Sequence, residues 1–239
     1  PFCLAWANHT WRAVGCTAGC DSKAVLMEQT YPGIEDAKAH LELLLKAFKD
    51  ERYVKVDGKP YLFIFDPIAL PQKYVDCFKK MSVEAGFPGI YLVANVSDNS
   101  IKKEVMLQKG YDAVCYCDIL GHAKQNRNTF KHKVFKHLQG ILLNRPTHVY
   151  DYSKHYKELI GEIDKDENVI PQIVPQWDHS PRGGRKTDIY INSTPEYFAK
   201  HVRMAMEAIK GKKEEHQILM LKSWNEWAEG NYMEPDLTH

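Results

Sequence analysis

The 239-residue sequence predicts an α/β fold, a (β/α)8 TIM-type barrel, on three observations. Short, near-continuous apolar runs alternate with amphipathic helical segments, as expected for right-handed βαβ units built on parallel strands buried on both faces. No glycine-rich phosphate loop follows any run, which argues against an open doubly wound sheet. Polar and aromatic residues gather instead where the runs end: Trp6 and Asn8, Asp66, Asn95, Asp118, Trp177 with Asp178, and Asn225 with Glu226. Functional groups at the C-terminal ends of many strands are the habit of a barrel. A barrel needs eight strands and the sequence offers six. The expectation is therefore one partial catalytic barrel domain over residues 1–239, a fragment lacking the first two βα units and the last helix.

The first run is Phe2 to Ala7, and an amphipathic helix follows from about Ile34 to Phe48, with Ala37, Leu41, Leu44, Leu45 and Phe48 on one side. The second strand is Tyr61 to Phe65; its helix covers about Gln72 to Ala85 and stops at Gly86. Ile90 to Ala94 is the third strand, with a helix over about Ile101 to Lys109 stopped by Gly110. Ala113 to Tyr116 is the fourth, and a helix is expected at about Tyr152 to Ile163. Val169 to Val174 is the fifth. The helix behind it opens with Ser193-Thr194-Pro195-Glu196, in which Ser193 and Glu196 suit a capping box and Pro195 the first turn. Phe198, Val202, Ala205 and Ile209 then keep helical spacing, and Ile218 to Leu221 is the sixth strand.

Hydrophobic residues at 44% and charged residues at 26% are ordinary for a globular chain. A net charge of +1 gives no general attraction to nucleic acid or membrane, and no apolar stretch is long enough to span a bilayer. The charge is uneven, however. The interval of about 119–150 interrupts the alternation and holds Lys124, Arg127, Lys131, Lys133, Lys136 and Arg145, four histidines and no acidic residue. It reads as an insertion that attracts an acidic glycan, a sugar-phosphate donor or an anionic membrane surface, or else as a solvated basic loop. His132 and His137 lie five apart and do not share a helical face, a poor arrangement for zinc. The six cysteines include no CxxC pair; free buried thiols are expected, with a metal or disulfide role for Cys16 and Cys20 beside His9 as the alternative. The opening Pro1-Phe2-Cys3-Leu4-Ala5-Trp6 has the look of an internal segment, so export stays open. The expected location is the cytoplasm, with peripheral membrane contact through the basic interval as the variant.

The chemistry concentrates in Ser223-Trp224-Asn225-Glu226-Trp227-Ala228-Glu229-Gly230-Asn231-Tyr232, directly after the sixth strand. Splitting a glycosidic bond takes one carboxyl group to donate a proton and a second to assist at the anomeric carbon. Tryptophan and tyrosine faces stack on sugars, and a water-poor pocket separates the pKa values of two carboxyl groups. Glu226 and Glu229 are the catalytic candidates; Trp6, Asn8, Asp66, Asn95, Trp177, Asp178, Arg182, Trp224, Asn225, Trp227 and Tyr232 are the substrate-binding candidates. The alternatives stay open. The glutamates could face water on a solvated turn, the tryptophans could be barrel packing, Asp66 could cap the following turn, and Asp178 could pair with Arg182.

As a set, five segments resemble the glycoside hydrolase family 99-like group, which includes the WbsX-type glycosyltransferases of bacterial polysaccharide loci. They are Trp6-Ala7-Asn8, Glu28 to Gly33, Tyr53 to Pro60, Gln176 to Arg182, and Trp224 to Gly230 continuing to Glu234-Pro235-Asp236. The resemblance spans nearly the whole chain in order and implies a (β/α)8 barrel acting on a glycan or polysaccharide, with no metal or organic cofactor. An activated sugar donor is a further expected partner if the chain is a transferase. The group's Asn-Glu-Trp-x-Glu-Gly pattern falls on Glu226 and Glu229. The implied retaining mechanism has Glu226 draw the sugar's 2-hydroxyl onto the anomeric carbon, giving a 1,2-anhydro sugar. Glu229 then serves as acid to the leaving oxygen and as base to the incoming water or acceptor.

Two departures stand out. His9-Thr10-Trp11-Arg12 replaces the Glu-Asn-Trp that usually follows Asn8, and His179-Ser180 replaces Asn-Thr. No nucleotide-sugar signature appears and a hydrolase-like glutamate pair is retained, so hydrolase and transferase compete within the enzyme reading. A glycan-binding barrel module of polysaccharide assembly, without catalysis, is the alternative outside it.

Overall fold

The computed structural model describes residues 1–13, 24–98, 100–117, 148–184 and 187–237. Asp118, Cys16, Cys20, His132, His137 and nearly all of the basic interval lie outside the described residues. In chain order the elements are β1 (Leu4–Trp6), β2 (Trp11–Arg12), β3 (Val25–Met27), α1 (Ile34–Phe48), β4 (Lys55–Val56), β5 (Lys59–Ile64), α2 (Gln72–Glu84), β6 (Tyr91–Val96), α3 (Lys103–Gln108) and β7 (Ala113–Tyr116). There follow β8 (His148–Asp151), α4 (Tyr152–His155), β9 (Gln172–Ile173), α5 (Ser180–Gly183), β10 (Asp188–Ile191), α6 (Pro195–Ile209), β11 (Met220–Leu221), β12 (Asn225–Glu226) and β13 (Asn231–Tyr232).

The six apolar runs line up side by side in sequence order, all parallel. β1, β5, β6 and β7 are successive neighbours in one sheet, with Leu4 opposite Leu62, Leu62 opposite Leu92, and Ala94 opposite Val114. Val114 then bridges in parallel to Val169 just before β9, and β9 pairs with β11 through Met220 opposite Gln172. Side chains alternate across this arc, as the two-residue period of a strand requires. Leu62, Ile64, Leu92, Ala94 and Val114 face the helices, where they pack with Ala37, Leu41 and Phe48 of α1, Tyr74, Val75 and Phe78 of α2, and Met106 of α3. Tyr61, Phe63, Tyr91, Val93, Ala113, Cys115 and Ile170 form a second cluster on the opposite side. Burying each of these large apolar side chains stabilises the fold by about 1.5–3 kcal/mol.

The first helix runs over the range its apolar stripe predicts, with Ala37, Leu41, Leu44 and Phe48 buried. Gly86 and Gly110, the expected stops, sit at φ 94° and 97°, where an L side chain would be strained. The β4–β5 connection is Asp57-Gly58 with φ 50° and 72°, the two left-handed residues that a tight antiparallel hairpin needs.

Two sequence expectations are corrected. The continuous helix over Tyr152 to Ile163 is broken into α4 and short 3-10 turns at Tyr156–Glu158 and Glu162–Lys165. Gly161 is extended and its N–H donates to the Asp164 carboxylate at 2.7 Å, so the side chain offers the backbone a partner that a helix would have to supply. The capping box at Ser193 is not formed either: Thr194 is the N-cap of α6, one residue later, and makes no side-chain cap bond. Of the cysteines, Cys77 and Cys115 are the buried free thiols expected, whereas free Cys3 is exposed.

Behind the site, Tyr150, Tyr152, Tyr156, Val174 and Tyr190 form a separate aromatic cluster that ties β8, β10 and α6 to the end of β9. Tyr152 donates to the Val174 carbonyl at 2.7 Å and lies 2.9 Å from His201 Nδ1. With the phenol proton committed to Val174, His201 donates from Nδ1, and burial pushes its pKa down to about 4.

Candidate active site

The site is assembled from the C-terminal ends of two adjacent parallel strands. β9 leads into Pro175 to Asp178 and the short helix α5; β11 leads into the β12–β13 hairpin. The hairpin pairs Asn225 with Tyr232 and Glu226 with Asn231. Its frame rests on Ser223, whose hydroxyl donates to the Asn231 carbonyl at 2.6 Å and accepts from the Glu226 N–H at 3.1 Å. The fully buried Asn231 accepts from the Ser223 N–H at 3.0 Å. Gly230 closes the turn at φ 51°, and a Cβ there would stand 2.8 Å from Asp178 Cβ. Only glycine fits, and this close approach lets the Asp178 N–H donate to the Glu229 carbonyl at 2.9 Å.

Once the two loops touch, Arg182 on α5 reaches both glutamates. Its Nη1 donates to Glu229 Oε1 at 3.0 Å and its Nη2 lies 3.4 Å from Glu226 Oε1. His179 Nε2 approaches the same Glu229 oxygen at 3.6 Å. The carboxylates are open to solvent, Glu226 more so at 39% side-chain exposure than Glu229 at 20%. Aromatic rings border them. Trp227 stacks on Tyr232 with centroids 3.7 Å apart and planes 15° apart. The Trp227 ring N–H donates to Glu234, and the Tyr232 hydroxyl donates to Asp236 at 2.8 Å, so both rings are held from behind. That bond to a carboxylate, together with burial, raises the Tyr232 pKa and keeps the phenol protonated. Trp177 is stacked with His179 at 5.8 Å, and the Lys222 ammonium lies 4.9 Å from its ring centroid. Trp224 is 59% exposed, and Asn225 is exposed beside it.

The other candidates sit apart from the hairpin or are used by the fold. Trp6 is opposite Ile64 and so faces the helix layer, edge-on to His40 at 4.3 Å and beside Phe78. Asn8 is buried; its amide donates to the Tyr31 hydroxyl at 2.9 Å and the Asp66 carbonyl at 2.8 Å and accepts from the Asp66 N–H at 2.7 Å. Asp66 accepts from the Ala69 N–H at 3.0 Å and caps its turn. Asn95 lies on the face away from the helices, opposite Cys115, and donates to the Phe65 carbonyl at 2.9 Å. Asp178 accepts from the Ser180 N–H at 2.9 Å at the start of α5, while Arg182, its expected ion-pair partner, turns to the glutamates. His179, Ser223 and Asn231 were not among the candidates drawn from sequence. The signal for the last two was the short Ser223–Asn231 spacing around the glutamate turn.

A parallel α/β sheet with a carboxylate pair and stacked aromatic rings at adjacent strand ends has the features of a carbohydrate-active enzyme. The profile of the family described as Glycosyltransferase WbsX matches residues 1–239, and the chain belongs to that family. Among curated proteins it is 24% identical over 239 residues to "Uncharacterized protein WxcX" of Xanthomonas campestris pv. campestris strain B100, covering 99% of this chain and 32% of that protein. The WxcX protein of a second strain, ATCC 33913, is likewise 24% identical. Among solved structures, the GH99 endo-alpha-mannosidase from Bacteroides thetaiotaomicron superposes with a TM-score of 0.51 at 14% identity, over 86% of this chain and 54% of that one. A structure titled "Glycoside hydrolase-like protein" gives 0.50 at 15% identity, over 84% and 54%. The chain thus spans about a third of the length of these curated relatives and about half that of these solved proteins.

Proposed function

We propose that this chain carries the catalytic pair of a glycan-processing enzyme, with Glu226 and Glu229 acting on a polysaccharide or cell-surface glycan by a retaining mechanism. What carries the reading is the single guanidinium of Arg182 reaching both carboxylates, which holds them as a pair beside the Trp227–Tyr232 stack. Two carboxyl groups held at one spot, one more exposed than the other, suit the division into base and acid that glycosyl transfer requires. Glu226 takes the 2-hydroxyl proton as that oxygen closes on the anomeric carbon; Glu229 protonates the leaving oxygen and then deprotonates the acceptor. Trp177, Trp224, Asn225 and Trp227 line the approach of the sugar.

The six parallel strands in sequence order, and the likeness to the mannosidase fold at a TM-score of 0.51, support reading the arc as part of a (β/α)8 barrel. Within this reading the basic interval of about 119–150 favours an acidic glycan or a sugar-phosphate donor. Incubating the full-length protein with a panel of glycans, with and without activated sugar donors, tests the proposal. New reducing ends without a donor identify a hydrolase, and product that requires a donor identifies a transferase. Neither product across the panel overturns the enzyme reading.

A further inference from the structure

One cation beside the glutamate hairpin has no part in the chemistry described so far. Lys222 follows β11, and its N–H donates to the Ile173 carbonyl at 2.9 Å, extending the β9–β11 ladder by one residue. Side chains alternate along a strand, so Lys222 continues the face of Ile218 and Met220, which pack with Tyr61, Tyr91 and Val93 away from the helices. The half-buried side chain ends against Trp177, on the loop after β9.

The other cations of the site are engaged: Arg182 reaches both glutamates, and His179 approaches Glu229. Lys222 differs. Among the described residues no carboxylate stands within ion-pairing distance of its ammonium, which lies 4.9 Å from the Trp177 ring centroid. A ring attracts an ammonium but does not neutralise it, and a half-buried charge without a counter-ion is unfavourable.

We propose that Lys222 is the anion anchor of this site, and that the glycosyl unit held beside Trp177 carries a carboxylate or a phosphate. The inference rests on the glycan-processing reading and names the charge of the sugar that the site takes. An anionic oxygen next to the ammonium supplies the missing counter-charge through a charge-assisted hydrogen bond. A lysine suits either anion, because its ammonium is a point charge with rotatable donors and imposes no planar fork. Lys222 stands four residues before Glu226, on the strand that leads into the hairpin, so an anion held there brings its sugar to the carboxylate pair. A neutral sugar in the same place leaves the ammonium uncompensated, which is the basis of discrimination.

Methyl glucuronoside, methyl glucoside and glucose 1-phosphate, titrated against the full-length protein by saturation-transfer NMR, test the anchor. The first two share a ring and differ in one carboxylate. The parent should bind methyl glucuronoside or glucose 1-phosphate about tenfold tighter than methyl glucoside. Lys222→Met keeps an unbranched side chain against Trp177 and removes the charge. That variant should show a preference below about twofold with an unchanged melting temperature, and Lys222→Arg should retain the preference. Preference for the carboxylate assigns the anchor to an acidic unit of the glycan; preference for the phosphate assigns it to an activated donor. Equal binding of charged and uncharged sugars by the parent, binding of none of the three, or a preference that survives in Lys222→Met would overturn the proposal. The readout is separate from turnover. A preference erased by Lys222→Met without turnover on the glycan panel keeps the anchor and sinks the enzyme reading, whereas turnover without the preference does the reverse.

Discussion

Arg182 and Glu229 are 47 residues apart in sequence and joined by a 3.0 Å hydrogen bond, with the second Arg182 nitrogen left to reach Glu226. One side chain thereby couples the loop after β9 to the hairpin after β11. A guanidinium suits this role because its planar fork presents two donors in fixed geometry, which a lysine ammonium does not.

Replacing Arg182 with Lys should therefore lower turnover by about 10–100-fold through misplacement of the glutamates. Stability should barely change, because ion pairs between side chains still 20–39% exposed contribute at most about 1 kcal/mol. Steady-state kinetics beside a thermal melt separates the two effects. A loss of Tm matching the loss of rate would assign Arg182 to folding alone.

Gly230→Ala should be among the costliest changes near the site. The alanine would have to hold φ 51° with its Cβ 2.8 Å from Asp178 Cβ and 3.1 Å from Asp178 N. The left-handed conformation alone costs about 1–2 kcal/mol, and relieving the contact pushes the two loops apart. Denaturant unfolding should show a loss above that figure, with activity falling in step.

Asn8→Ala should cost stability of about 1–3 kcal/mol by leaving the Asp66 N–H and carbonyl without their partner at the junction of β1 and β5. Substrate affinity should change little, since every polar atom of the Asn8 side chain is already engaged by the fold. A raised KM with an unchanged melt would instead make Asn8 a sugar contact.

Acid should weaken the fold through His201. Burial holds its pKa at about 4, below the 6.5 of an exposed histidine, so the unfolded chain takes up a proton that the folded chain refuses. The folded state keeps its full stability above pH 6.5, loses it progressively toward pH 4, and loses no more from this group below that, a total of up to about 3 kcal/mol. His40, also lowered by burial, adds to the same trend. Denaturant melts across this range should show the decline in the parent and a shallower one in His201→Gln.

The strands were legible because a parallel strand buried on both faces needs only a short apolar run, and no partner has to be known. The faces were not. Trp6 at a strand end reads alike whether it points to the helices or to the opposite face. Its register opposite Ile64 decides, and register is a property of two segments. The Tyr152–Ile163 segment kept helical spacing because Tyr152 and Tyr156 pack into one cluster, yet the Asp164–Gly161 bond breaks the helix. The glutamate pair stood out by composition, whereas the partners of Arg182 depended on how two distant loops meet.

Product formation by Glu226→Gln and Glu229→Gln in the full-length protein, measured beside binding on the same glycan array, tests the central claim most directly. Each change keeps shape and removes one carboxylate. The glutamate-pair mechanism predicts that both variants still bind the parent's glycan and that turnover falls by at least about a hundredfold in each. Turnover that survives in either variant with binding intact would contradict it.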